Sequence, residues 1–216
     1  MLQRALKRHP WIPYAAPFAL FIVLTTLQRG DPDVIAWMYP AKTILVAAVL
    51  LFFLKDLPRL EPRFTGIAAV VGLVTFVLWV LPEGMYPLLA DAEPYDPTTN
   101  LVTPWLYGWI AFRLVGASVL VPIIEEYFWR GFILRWLVRP SFEKVAIGTF
   151  TWPSFLISTA LFASEHNRWL VGLMAGAMYN LLLYRTKSLY ACVIAHAVTN
   201  LALGIYVLYT GHWTFW

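Results

Sequence analysis

Charge is what this 216-residue chain has least of. Only 13% of its residues are Asp, Glu, Lys or Arg, about half the share of an ordinary soluble domain. Hydrophobic residues make up 60%, a membrane-protein composition. A single cysteine, Cys192, excludes an internal disulfide framework. The HExxH helix motif of many zinc peptidases is missing, and no internal repeat or low-complexity segment is visible.

What fills the chain instead is a series of long apolar runs: Trp11 to Leu27, Ile35 to Leu54, Phe64 to Leu81, Pro104 to Val121 with a continuation to Val138, Phe150 to Ser164, Trp169 to Tyr184, and Leu189 to Tyr209. A helix needs about 17 to 25 residues to cross a bilayer core, so these runs predict an all-α, polytopic transmembrane bundle. It has seven spans, or eight if the run from Pro104 to Val138 divides at Pro122. The basic start MLQRALKRHP precedes the first run as in a signal peptide, but no small-x-small cleavage signal precedes Gln28, so the run reads as a retained anchor.

The basic residues give an orientation. Eleven of the sixteen fall on one side of such a bundle: Arg4, Lys7, Arg8, Lys55, Arg59, Arg63, Arg135, Arg139, Lys144, Arg185 and Lys187. The opposite side carries only Arg29 and Arg168, and the acidic loop from Pro82 to Thr103 has no Lys or Arg. Positive charge stays in the cytoplasm, which predicts an inner-membrane protein with a cytoplasmic N-terminus and a non-cytoplasmic C-terminus. The net charge of +4 then faces anionic lipid and gives no support to a nucleic-acid partner. The acidic loop divides one membrane domain into a three-span part, residues 1–103, and a part carrying the chemistry, residues 104–216.

Three cations lie inside runs. Lys42 is near enough to the end of its run to snorkel to the outer interface. Arg113 lies deeper, and such a residue pairs with a carboxylate or faces a polar cavity. Arg130 belongs to VPIIEEYFWRG, where Glu126 and Arg130 share a helix face and can pair. Glu125 points about 100° away and has no such partner. Further on, His166 follows Phe162 by four residues and His196 precedes Asn200 by four, one face each. An isolated polar residue in a span is commonly glue between helices. Two adjacent carboxylates, two histidines and an amide form a set that packing alone would seldom select.

Taken in order, EExxxR at Glu125 to Arg130, FxxxH at Phe162 to His166 and HxxxN at His196 to Asn200 resemble the CAAX prenyl protease and bacteriocin-processing (Abi) family of intramembrane peptidases. The resemblance covers roughly Arg113 to Gly204, and a bacterial CAAX protease-related branch associated with exosortases is similar in size. It implies that Glu125 and His166 hold and activate the attacking water, that His196 and Asn200 stabilise the oxyanion, and that Glu126 with Arg130 supports them. The partners implied are membrane lipid and a membrane-associated peptide, with no cofactor. Glu165 and Asn180 are polar as well, but no motif covers them.

Two other readings use the same residues: a zinc peptidase with Glu125, His166 and His196 as ligands, and a transporter or binding protein with a polar relay. An amide paired with His196 suits an oxyanion clamp better than a metal ligand, which favours the metal-free peptidase. Depth adds a condition. A helix running from Lys144 would put His166 about 33 Å along its axis, beyond the others. The site closes if that helix starts at Trp152-Pro153, where proline suits a first turn, and if His166, Asn167 and Arg168 form a turn inside a cavity.

Overall fold

Every apolar run folds as a helix, and local chemistry sets the ends. A computed structural model describes residues 6, 8–28, 31–90 and 94–216; Arg4, Lys7 and Arg29, counted above among the loop charges, lie outside the described residues. Helix α1 is Ile12–Leu27 and α2 is Pro32–Phe53, capped by Asp31, whose carboxylate accepts from the Asp33 N–H at 2.8 Å. Helix α3 is Thr65–Val80, α4 is the short Pro97–Asn100, and α5 is the continuous Trp105–Trp136. Helix α6, Trp152–Ser164, starts at the expected proline, with Thr151 accepting from the Ser154 N–H at 3.2 Å. Helix α7, Trp169–Thr186, and α8, Leu189–Thr210, complete the chain; Ser188 caps α8 by accepting from the Ala191 N–H.

The described residues thus contain seven long helices besides the short α4. Three are long and apolar enough to cross a membrane, Pro32–Asp56, Trp105–Trp136 and Leu189–Thr210, while α1, α3 and α6 are apolar but shorter. Pro122 does not divide α5, so the eight-span alternative loses its break point. The backbone absorbs the proline by widening. Gly116–Leu120 and Tyr127–Ile133 are π-helical, and the Val121 N–H bonds back to the Gly116 carbonyl.

Helix α3 lies along α8 at a distance only glycine permits. A Cβ on Gly72 would meet the Ala195 carbonyl oxygen and, at 2.8 Å, the Val198 Cβ. The Gly72 carbonyl also accepts from Thr199 Oγ1 at 2.9 Å. Helix α1 packs on the second π segment of α5, with Phe18 stacked on Phe128 at 4.2 Å and Tyr14 close to Gly131. Gly176 on α7 lets Phe162 of α6 approach closely.

Two cations differ from their sequence reading. Lys42 is buried and does not reach solvent; its Nζ donates to Thr25 Oγ1 at 3.0 Å and Gln28 Oε1 at 2.7 Å, at the C-terminal end of α1. Arg135 is also buried and is no loop charge. It donates to the carbonyls of Gly131, Glu143 and Val145 and so ties the connector after α5 back onto the helix.

Candidate active site

Four elements bring the polar intruders together. Glu126 is fully buried, and its Oε1 accepts from Arg130 Nη1 at 3.1 Å and faces His196 Nδ1 at 3.0 Å. Arg130 spends its other donors on Asn180 Oδ1 and the Gly176 carbonyl, each at 3.1 Å, and its guanidinium lies 4.5 Å from the Phe162 ring centre. Asn180 in turn donates to Ser158 and Thr159 on α6. This buried network fixes α5, α6, α7 and α8 in one register, because each lost partner would strand a polar group away from water. Asn180 is therefore the joint of the network, and its place inside an apolar run was the only sequence sign of it.

His196 is held from three sides. Its Nδ1 meets Glu126, the Tyr179 ring stacks on it at 5.0 Å, and its Nε2 stands 4.0 Å from Glu125 Oε2. Tyr179 is itself fixed through its hydroxyl, which donates to Thr199 Oγ1 at 2.8 Å. One turn on, Asn200 Nδ2 donates to the Ala117 carbonyl at 2.8 Å. The physical reason lies in α5. In the π segment the residue five positions on would serve that carbonyl, and it is Pro122, which has no N–H.

Glu125 is buried, and its Oε2 has no hydrogen-bond partner among the described residues. Opposite it, the expected turn is present: α6 ends at Ser164, α7 begins at Trp169, and His166 sits between them. His166 Nδ1 bonds the Phe162 carbonyl at 2.7 Å, so that nitrogen carries the proton and Nε2 presents a lone pair. Arg168 holds the turn from outside. It grips Glu83 of the outer loop with two nitrogens and donates to the Thr214 carbonyl at 2.8 Å. The sequence counted Arg168 among the charges of the outer side and put it in this turn; it is a buried clasp between the loop, the turn and the C-terminal segment.

Glu165 also belongs here. Its Oε1 accepts from Trp129 Nε1 at 2.9 Å, and one ligand atom from each of Glu125, Glu165 and His166 lies within 4.8 Å of the others. These three could hold a metal ion. His196 is not in that group, so the zinc set drawn from the sequence is not the one that converges; His196 has turned Nδ1 to Glu126, and Glu165 stands in its place.

Glu125, His166, His196 and Asn200 all line one cavity of about 160 Å³, together with Trp79, Tyr179 and Trp216 among others. The three motifs all fall within the segment for which a family comparison finds a match. Residues 105–202 match the family model for Rce1-like proteins, type II CAAX prenyl endopeptidases. This segment is an Rce1-like domain. It contains every residue of the three motifs and supports a membrane peptidase in general, while the long apolar helices support an integral membrane protein. No curated protein and no solved structure matches the chain.

Proposed function

We propose that the protein is an intramembrane endopeptidase that hydrolyses a peptide bond of a membrane-associated substrate with a water activated by Glu125 and His166. The observation that carries this reading is the convergence of Glu125, His166, His196 and Asn200, from three separate stretches of sequence, on one cavity. A water between Glu125 and His166 gives one hydrogen to the carboxylate and one to Nε2, which leaves an oxygen lone pair for the carbonyl carbon. As the C–O bond forms, Glu125 takes the water proton, and it returns that proton to the departing amine nitrogen when the C–N bond breaks.

The carbonyl oxygen becomes an oxyanion, which needs donors already aimed at it. Asn200 has a second amide hydrogen besides the one given to Ala117. His196 serves when both ring nitrogens act as donors, Nδ1–H to Glu126 and Nε2–H to the oxyanion. Glu126 and Arg130 then act by holding His196 and the helices in place. The reading needs no metal, and a zinc-dependent version would use Glu125, Glu165 and His166.

The test compares new protein termini in membranes from cells carrying the wild type and Glu125→Gln. Termini that depend on Glu125 are expected; identical sets from the two strains, at equal protein level, would return the chain to the transporter or binding reading. Orientation is tested with reporters, expected to be cytoplasmic after Arg63 and non-cytoplasmic at the C-terminus. A cytoplasmic C-terminus would overturn the seven-span reading.

A further inference from the structure

We propose that Asn167 and Glu83 are positioning residues for His166, so that the loop at residues 83–90 is a working part of the candidate active site. What that position does for the reaction rests on the peptidase reading above; the hold on His166 does not. The need for outside support starts in the sequence of the turn. Helix α6 ends at Ser164, and α7 begins at Trp169 behind Arg168, which gives the new helix no side-chain cap. The first turn of α7 has no acidic residue either. Within the turn the His166 N–H bonds back to the Ala163 carbonyl at 3.1 Å. The residues that follow are held from elsewhere.

The loop supplies what the turn lacks. The Asn167 carbonyl accepts from the Leu89 N–H at 3.1 Å, its Oδ1 accepts from the Ala90 N–H at 2.8 Å, and its Nδ2 donates to the Ala90 carbonyl at 2.9 Å. Arg168 Nε donates to Glu83 Oε2 at 2.8 Å, and Trp169 Nε1 donates to the Pro87 carbonyl at 3.0 Å. Three consecutive residues after His166 are thus bonded to a segment 77 to 85 residues away in sequence.

The bodies of α6 and α7 do not depend on these bonds. Asn180 ties the two helices by donating to Ser158 and Thr159, and Gly172 and Gly176 let Ala163 and Phe162 approach closely. Freeing the loop therefore loosens the end of this helix pair and leaves the pair assembled. His166 sits at that end. The Phe162 carbonyl and the Trp79 ring, 5.4 Å away between centres, orient its imidazole, but its Cα travels with the turn. Glu125 faces the same cavity from the continuous helix α5, so a shift of the turn changes the gap that the attacking water must fill. A misplacement of about 1 Å costs on the order of a hundredfold in rate. Arg168 also holds the Thr214 carbonyl and lies 4.2 Å from the Phe215 ring centre, which makes Asn167 and Glu83 the cleaner positions to change.

The test reads His166 directly. Full-length wild type, Asn167→Ala, Asn167→Asp and Glu83→Gln in mild detergent at neutral pH are treated with diethyl pyrocarbonate, and modification of each histidine is followed by mass spectrometry. Exposed His9 is the internal reference, and buried His196, held by Glu126 and Tyr179, is the control. In Asn167→Ala the rate at His166 should rise roughly threefold or more, as for loss of hydrogen bonds that guard a local opening, with His196 unchanged. Asn167→Asp keeps the acceptor for the Ala90 N–H and should fall between, and Glu83→Gln should move His166 in the same direction. Kinetics use a synthetic peptide spanning a terminus that depends on Glu125. For Asn167→Ala, kcat should fall about tenfold to a hundredfold with KM within about twofold of wild type, and the thermal midpoint should stay within about 2 °C. An unchanged His166 rate, a parallel rise at His196, or a kcat near wild type despite a faster His166 would each overturn the proposal. A selective rise at His166 in a protein that cleaves nothing would keep the loop's hold on the turn and remove the peptidase reading.

Discussion

Replacing Arg130 with alanine tests the buried network where it is most heavily used. The side chain is 1% exposed and makes three bonds of 3.1 Å, to Glu126, Asn180 and the Gly176 carbonyl. Alanine leaves Glu126, itself fully buried, with His196 as its only polar partner. It also strands Asn180 Oδ1 and opens a void against Phe162. Breaking a buried ion pair from one side costs about 3–5 kcal/mol. At roughly 2–4 °C per kcal/mol for a chain of this size, the midpoint should fall by about 6–20 °C. The assay is built into the protein: Cys192 is the only cysteine and is fully buried, so a thiol-reactive dye reports unfolding during a thermal ramp in detergent. Adding Glu126→Gln should recover part of the loss, because the uncompensated charge is then gone. A midpoint for Arg130→Ala within about 2 °C of wild type, a shift worth under 1 kcal/mol, would refute the structural role given to this pair.

Glu125→Gln, His166→Ala and His196→Ala should each lower cleavage at least about a hundredfold, while Asn200→Ala keeps somewhat more activity because a second oxyanion donor remains. Activity near wild type in any one, at normal Cys192 protection, would take that residue out of the mechanism. Pro122→Ala restores an N–H that competes with Asn200 for the Ala117 carbonyl, so the activity penalties of Pro122→Ala and Asn200→Ala should not add in a double-mutant cycle; strict additivity would count against that link. Gly72→Ala drives a methyl into the Ala195 carbonyl and Val198 and should cost about 1–3 kcal/mol, read as an earlier rise in dye labelling. Strong chelators should leave cleavage unchanged; about one zinc per chain, with activity lost on stripping and restored on adding it back, would overturn the metal-free reading and point to Glu125, Glu165 and His166.

The helical class, the seven apolar runs and the three motifs were all legible in the sequence, because hydropathy and four-residue spacings are local properties of a helix. So was the late start of α6 at Trp152, since a proline in the first turn and the depth of His166 left one solution. Glu165 and Asn180 were visible as polar residues but had no assignable role. Their partners, Trp129 on one side and Arg130, Ser158 and Thr159 on the other, come from helices distant in sequence.

The sequence by itself determined which side chains are too polar for their surroundings, and hence that they must converge somewhere. Only the tertiary structure decided how. Helix periodicity extrapolated from α geometry places Arg113 away from Glu125, and no local rule announces the π segment that brings both into one cavity. Likewise Arg135 and Arg168 look like loop charges to a count of residues, yet both are buried, because their acceptors are backbone carbonyls and a loop carboxylate that only folding delivers. A charge is placed by its partners, and partners contributed from other helices are set by packing, which a one-dimensional pattern does not contain.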